Sequence, residues 1–356
     1  NSNKEIMYGT IISVLCLSGD ITIKPNNHVI YFIGENPCNK DGSVIRAIQH
    51  ASRNQVLSSK ITVNHSFSNK PPGGYKDHYE KMNQYITIIS APAKSIDNSV
   101  TERTYRIIEP ELSESVFNYL DTNSTRAEIY AISSKFENQK IAIIGLGGTG
   151  SYILDLVAKT PVQAIHLFDG DTFLQHNAFR APGAPNIDTL RERIKKTDYF
   201  KNIYSNMHRN IISHDQYIAE TNVEELSEID FAFLCLDKSE PKKIIIDYLE
   251  KLNIQFIDVG MGIHNVDNKL TGIIRITSST KTKRDHIREK NRISFSDGQD
   301  DEYAKNIQIA DLNSLNASLA VIKWKKISGF YHDFEKENNS TYTINVNQLL
   351  GDDHDS

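Results

Sequence analysis

Apolar residues fall into four short unbroken runs in the second half of the chain: within IAIIG (141–145), AIHLFDGD (164–171), FAFLCLD (231–237) and IQFIDVG (254–260). Runs of this kind, without polar alternation, predict strands buried on both faces, as in a largely parallel sheet covered by helices. After the first run comes SYILDLVAKT, where Ile153, Leu154, Val157 and Ala158 recur at helical spacing. Further on, IADLNSLNASLAVIKWKKI aligns Leu312, Leu315, Leu319 and Ile322 on one side of a predicted helix, a face suited to core or subunit interface. From about Asn123 onward the pattern is that of an α/β fold.

The first part of the chain reads differently. MYGTIISVLCL, HVIYFIG and YITIISAP predict strands, GSVIRAIQHAS a short helix, and GENPCNKDGS and SFSNKPPGGY turns. The expected organisation is a smaller mixed α+β domain over residues 1–120, of unknown role, and a larger domain over 121–356. A linking region, IEPELSESVFNYLDTNSTR, lies at the junction.

Composition narrows the function classes. The 356 residues are 39% hydrophobic, enough for a sizeable core, and the net charge of −5 shows no basic balance of the kind nucleic acid would call for. No apolar run reaches the length of a membrane span or heads the chain as a signal peptide, so no membrane partner is expected. The three cysteines, Cys16, Cys38 and Cys235, form no CxxC pair. That pattern implies a reducing, cytoplasmic setting and no zinc site. The chain opens at Asn1 without an initiator methionine, and a native segment is expected before it.

Candidate chemistry begins where the first buried strand ends. Gly145, Gly147 and Gly150 satisfy G-x-G-x-x-G between a strand and a helix, the arrangement that brings backbone N–H groups up to a phosphate. Gly148 is a fourth glycine that this fingerprint does not require. Taken alone, the glycines equally allow tight strand–helix packing. After the second strand come Asp169 and Asp171, then Asn177 and Arg180, giving D-x-D-x-x-x-x-x-N-x-x-R. A dehydrogenase needs only one acid there, for a ribose hydroxyl.

With Arg126 before the first strand, Lys195 or Lys196 further on, and Asp237 in LCLDKS, this ordered set resembles the ThiF/MoeB/ubiquitin-activating family of adenylyltransferases over roughly residues 123–330. The resemblance implies a Rossmann-like ThiF-type adenylation domain. It also implies that ATP and magnesium activate the C-terminal carboxylate of a ubiquitin-like protein, with release of pyrophosphate. On that reading Asp169 holds the ribose, Asn177, Arg180 and Lys196 contact phosphates, and Asp237 holds magnesium. Lys196 is preferred to Lys195 because Phe200, Tyr204 and Met207 then continue one apolar helix face. Arg126 would enter the active site of a second subunit in a homodimer. As isolated residues, Asp171, Arg180 and Lys196 would read as surface charges, Asp237 as a helix cap, and Arg126 as a stem covering apolar surface.

The chain also departs from the family pattern. The segment at about 277–306, where many members carry a nucleophilic cysteine in a crossover, has no cysteine; it is basic in its first half and acidic in its second. Such a run suits a solvated loop or a guide for a partner. Candidate nucleophiles are therefore Ser278 and Ser279 in that segment, with His286 as its one histidine, and Cys38 in the N-terminal part. Gly260 and Gly262 resemble a family turn near the carrier tail. The N-terminal part resembles a region attached to bacterial ThiF-type proteins encoded beside multi-ubiquitin-like proteins and conjugating-enzyme-like partners. That implies a bacterial conjugation pathway of the kind used in antiviral defence. Three other readings stay open: an NAD-dependent oxidoreductase, a non-catalytic carrier-binding adaptor, and adenylation of a small molecule or an RNA base.

Overall fold

The computed structural model describes residues 1–356 except Asp20, 59–60, 103–114, Glu128, Lys238, 296–306 and Ser356, and except the side chains of Thr125 and Arg126. The chain divides into two compact units: residues 1–114 with 119–134, and residues 115–118 with 135–356.

The first unit contains strands β1 (Thr10–Ile12), β2 (Leu17–Ser18), β3 (Ile21–Thr22), β4 (Val29–Ile33), β5 (Gln49–Ser58) and β6 (Ile61–Ser68). Its helices are α1 (His78–Ile96), α2 (Thr122–Arg126) and α3 (Tyr130–Ser133). Four strands form an antiparallel sheet in the order β1-β4-β6-β5, and β2 and β3 make a separate small hairpin. Ile30, Phe32, Ile45, Ile48, Phe67, Tyr75 and Tyr85 close its core.

Two expectations fail in this unit. YITIISAP is not a strand but the middle of α1. Its β-branched run imitates a strand, yet Tyr85, Ile88 and Ile89, spaced by three and four, pack together on the sheet core as one helix face. GSVIRAIQHAS is not a helix: Ile45 and Ile48 both enter the core, and β5 begins at Gln49. By contact, residues 119–134 cluster with the first unit.

The second unit contains, in order, β7 (Lys140–Ile144), α4 (Gly148–Val157), β8 (Ala164–Phe168), α5 (Gln175–Ala178), α6 (Ile187–Glu192), α7 (Lys196–Tyr204) and β9 (Ile211–His214). Then follow β10 (Phe231–Leu234), α8 (Ser239–Lys251), β11 (Gln255–Val266), β12 (Lys269–Ser279), α9 (His286–Glu289), α10 (Ala310–Ile327), β13 (Asn339–Thr343) and β14 (Gln348–Asp352). Its eight-stranded sheet has the order β14-β13-β12-β11-β10-β7-β8-β9. The five strands from β11 to β9 are parallel, and β12 to β14 join antiparallel. Side chains alternate between two cores. Ile141, Ile143, Ile165, Leu167 and Phe233 pack with α4, α7 and α10, while Ala142, Ile144, Phe168, Ala232 and Leu234 pack with α8. Burial on both faces is why these strands read as unbroken apolar runs.

The strand order reverses between β7 and β10. Consecutive connections leave β7 in opposite directions there, opening a crevice beyond the carboxyl ends of the strands.

β11 continues straight through Gly260 and Gly262, which pair with Arg275 and Ile273 of β12, so no turn forms at these glycines. The stripe Leu312, Leu315, Leu319 and Ile322 is also not the most buried face of α10. Asn313, Asn316, Ala317, Ala320, Val321 and Trp324 are more deeply buried, and Ile322 is exposed.

Candidate functional site

The glycine-rich turn leaves β7 at the point of strand reversal. Gly145 has φ +93°, and a Cβ there would meet the carbonyl oxygen of Cys235 at 2.5 Å, so the position requires glycine. A Cβ on Gly150 would lie 1.9 Å from the Gly145 carbonyl oxygen. A Cβ on Gly148 would lie 2.0 Å from Nδ2 of Asn313 on α10. The fourth glycine thus has a packing cause.

Gly147 differs from these three: φ is −71° and nothing lies within 4 Å of an added Cβ. Gly147 is also the N-cap of α4, and no side chain caps that helix. The first N–H groups of α4 therefore carry no side-chain cap, and the positive end of the helix dipole lies behind them.

Asp169 follows β8 and is buried at 6% exposure. Its Oδ2 accepts from the Leu146 N–H at 2.7 Å, tying it to the glycine turn, and its Oδ1 accepts from the Asp171 N–H at 2.8 Å. The Lys196 N–H donates to the Asp171 carbonyl at 3.0 Å, which draws the start of α7 back to the end of β8. The ammonium of Lys196 is consequently buried between two acids, 2.6 Å from Asp171 Oδ2 and 3.4 Å from Asp169 Oδ2. Lys195 points elsewhere, to the Gly170 carbonyl at 2.7 Å and to Asp215 at 3.1 Å. Tyr217, which the sequence did not single out, donates its hydroxyl to Asp171; that carboxylate pushes the phenol up to about 12.

Asn177 is buried, and its Oδ1 accepts the Leu174 N–H at 2.9 Å, shaping the short α5 that presents Arg180. The Nε of Arg180 is buried without a hydrogen-bond partner among the described residues. A buried guanidinium nitrogen without an acceptor is costly, and an anionic ligand would supply the acceptor. Asn313 joins this loop to the glycine turn: it accepts from Thr149 Oγ1 at 3.0 Å and donates to the Arg180 carbonyl at 3.4 Å. Asp237 lies three residues beyond β10 and is exposed; it has no ion pair among the described residues.

Asp258 on β11 is fully buried between Lys242 at 2.8 Å and Arg275 at 2.6 Å. Burial, together with Asp258, pushes the Cys235 thiol far above its ordinary range. An acid inside the apolar run IQFIDVG was the available signal for this ion cluster, and Asn313 and Asn316 on the buried face of α10 were the signal for that contact.

The remaining candidates stand in other elements. Arg126 belongs to α2 in the first unit, and its side chain is outside the described residues. Ser278 and Ser279 are not loop residues: β12 runs through both, they are 1% and 0% exposed, and Ser278 donates to Asn338 Oδ1 at 2.9 Å. His286 is buried as well. Ser278 pairs with Ile257 and Ser279 with Phe256, so both step from Asp258 toward the amino end of β11, away from the glycine turn. The basic half of the crossover is largely neutralised within the fold. Arg288 pairs with Asp247 and Glu250, Arg292 with Asp352 and Asp353, and Lys290 with Asp353. Cys38 is buried, and its thiol donates to the Asn36 carbonyl at 3.3 Å.

A model of the ThiF family matches residues 120–322, more than half of the chain. The chain belongs to the ThiF family. The family match spans β7 to α10 and so contains the whole crevice. Residues 1–122 match a domain of unknown function, DUF6791.

Among curated proteins, the tRNA threonylcarbamoyladenosine dehydratase of Escherichia coli (strain K12) is 24% identical over 166 residues. The match takes in 44% of this chain and 58% of that enzyme, so the chain spans less than two thirds of this relative. Among solved structures, PaaA superposes with a TM-score of 0.51 at 14% identity, over 82% of this chain and 92% of that one. The E. coli MccB structure with ATP gives a TM-score of 0.50 at 15% identity, over 76% and 79%. At these identities the likeness carries the fold of the ThiF domain.

Proposed function

We propose that the crevice binds ATP and adenylates a carboxylate, specifically the C-terminal carboxylate of a ubiquitin-like or multi-ubiquitin-like protein. The observation that carries this reading is the uncapped amino end of α4 at the open Gly147, next to a loop whose Arg180 Nε is buried without an acceptor. These are two electropositive features with no anion to answer them among the described residues. ATP in the related MccB structure, and membership of the ThiF family, support the same nucleotide. An oxidoreductase reading leaves Arg180 and the buried Lys196 without a role.

Asp169 would hold the ribose from its anchored position at the turn, with the α4 N–H groups and Arg180 around the phosphates. Asn177 would orient the Arg180 loop. Lys196 would keep Asp169 and Asp171 from repelling each other and offer its third proton to a phosphate oxygen. The substrate carboxylate oxygen attacks the α-phosphorus, the bond to the bridging oxygen breaks, and pyrophosphate leaves with the electron pair. Asp237 is exposed and has no ion pair among the described residues, which suits a carboxylate that would share magnesium with phosphate oxygens; the ion would offset charge on the leaving group. Among the described residues no group of three or more His, Cys, Asp or Glu gathers into an all-protein metal cage, so the nucleotide would complete the coordination.

The relative that modifies tRNA raises an RNA substrate as a second reading. The net charge and the internal pairing of the crossover's basic residues favour a protein partner. The adenylate would pass to a conjugating-enzyme-like partner in a bacterial, cytoplasmic pathway, with the enzyme working as a homodimer.

The test is exchange of labelled pyrophosphate into ATP, dependent on magnesium and on a ubiquitin-like protein encoded beside this chain. Asp237→Ala should abolish exchange with the fold intact. Full exchange by that variant would overturn the assignment of Asp237, and exchange with no carboxylate substrate required would overturn the reaction.

A further inference from the structure

Strand β5 of the first unit is interrupted, and two of its interruptions carry a basic side chain. Its register against β6 shifts between Gln49 and Ala51, at His50, and again between Ser52 and Gln55, at Arg53. Bulges of this kind re-aim side chains that regular pairing would place elsewhere. On β4 and β6, Val29, Tyr31 and Ser66 alternate with the core residues Ile30, Phe32 and Phe67, and so turn to the opposite face. A cavity of about 190 Å³ lies against these three strands, with Asn27, Tyr31, His50, Arg53, His65 and Ser66 in its wall.

The wall is one-sided in charge: it holds two histidines and an arginine, and no Asp or Glu. Arg53 is exposed and has no ion pair among the described residues. Nδ1 of His50 is 2.9 Å from the Ser66 hydroxyl, and Nδ1 of His65 is 3.0 Å from the Ser52 hydroxyl. A hydroxyl donates to a neutral imidazole or accepts from a charged one, so these partners leave an imidazolium charge unneutralised.

Asn27 links the cavity to a buried charge. Its Oδ1 accepts from the Lys81 ammonium at 3.2 Å. That contact orients the carboxamide, and its Nδ2 donors have no partner among the described residues. Lys81, on α1, is 1% exposed, and no carboxylate pairs with it among the described residues. A buried ammonium ordinarily has a counter-ion; here its hydrogen-bond partner is an amide of the cavity wall. Burial pulls Lys81 down to about 8, which leaves it largely protonated at neutral pH. Burial first, and then the charges of Lys70, Lys81 and His50, hold nearby His28 below its ordinary value, so the surroundings are positive too.

We propose that this cavity binds a phosphoryl anion, with His50, Arg53 and the Asn27 amide as donors and Lys81 as the buried counter-charge. The donors come from two bulges of β5 and from the segment before β4. Donors on separate walls suit the three terminal oxygens of a phosphoryl group, whereas the two coplanar oxygens of a carboxylate are met by a single arginine fork. The cavity is smaller than the roughly 300 Å³ at which pockets for drug-sized ligands begin. The ligand is therefore a phosphate ion or a short phosphate monoester. The proposal does not depend on the adenylation reading.

The experiment follows the imidazole signals of the full chain, labelled with ¹⁵N-histidine, during titration with glycerol 3-phosphate, inorganic phosphate, acetate, and sodium chloride at matched ionic strength. The signal missing in His50→Gln identifies His50, so binding is read at this cavity. The expected result is a saturable shift of His50 with half-saturation at or below about 1 mM. Tighter binding of glycerol 3-phosphate assigns a monoester, and tighter binding of phosphate assigns the free ion. Arg53→Gln, a change at an exposed position, should weaken binding by about tenfold or more. Asn27→Asp gives Lys81 a carboxylate of the same shape. It should melt at or above the wild-type temperature and yet lose phosphate binding by about tenfold or more. An equal response to chloride, acetate binding as tight as phosphate, or wild-type phosphate binding in either variant would overturn the proposal.

Discussion

Gly147→Ala and Gly148→Ala are chemically identical changes at adjacent positions, yet their effects should be opposite. At Gly148 the new methyl carbon would sit 2.0, 2.4 and 2.7 Å from three atoms of the Asn313 carboxamide. Asn313 cannot simply swing away, since it is fully buried and holds Thr149 and the Arg180 carbonyl. Overpacking of this kind costs about 1–3 kcal/mol. At about 2–4 °C per kcal/mol for a domain of this size, the melting temperature should drop by roughly 2–12 °C. At Gly147 the methyl meets nothing and φ is −71°, so alanine is unstrained there. Restricting the unfolded chain should raise stability by about 0.4–1 kcal/mol.

The ligand reverses the ranking. Wild-type protein at a hundredfold excess of ATP over Kd should gain about 2.7 kcal/mol. If the methyl stands where a phosphate approaches and weakens binding a hundredfold, Gly147→Ala keeps only about 0.4 kcal/mol at that ATP concentration. Thermal melts of both variants with and without ATP supply all four quantities. A Gly147→Ala protein that melts like wild type and keeps the full ATP shift would refute the argument, because the open space at α4 would then not be where the nucleotide lies.

Arg180→Ala should retain the fold and lower pyrophosphate exchange about a hundredfold, the typical loss of one group stabilising a developing charge; unchanged exchange would show that its unpartnered Nε faces no phosphate. Mixing inactive Arg126→Ala with inactive Asp237→Ala should restore some exchange if Arg126 acts in a second subunit, because a mixed homodimer then holds one site free of both defects. No recovery despite demonstrated subunit exchange would count against that role. Burial, reinforced by neighbouring His214 and Lys140, pulls His166 down to about 4 from its ordinary 6.5. The unfolded chain therefore binds more protons than the folded one between those values, and stability should fall as pH drops through that window. His166→Phe should lose less stability over the same window in urea titrations, and an identical loss would place the acid sensitivity elsewhere.

The sequence by itself determined the parallel half of the second unit. IAIIG, AIHLFDGD, FAFLCLD and IQFIDVG became β7, β8, β10 and β11, because a strand covered on both faces must be apolar throughout. The places of Gly145, Asp169, Asp171 and Asp237 in the fold were legible for a related reason: each stands within three residues of the end of such a strand. What periodicity could not report was anything made by distant partners. YITIISAP has a strand's composition, but the spacing of Tyr85, Ile88 and Ile89 matters only once a sheet lies beneath it. Ser278 and Ser279 read as loop residues because pairing with β11, and their contact with Asn338, are long-range. Gly148 looked superfluous until Asn313, far along the chain, was packed against it. Local pattern records how each segment is buried, and only the folded chain decides which segments bury it.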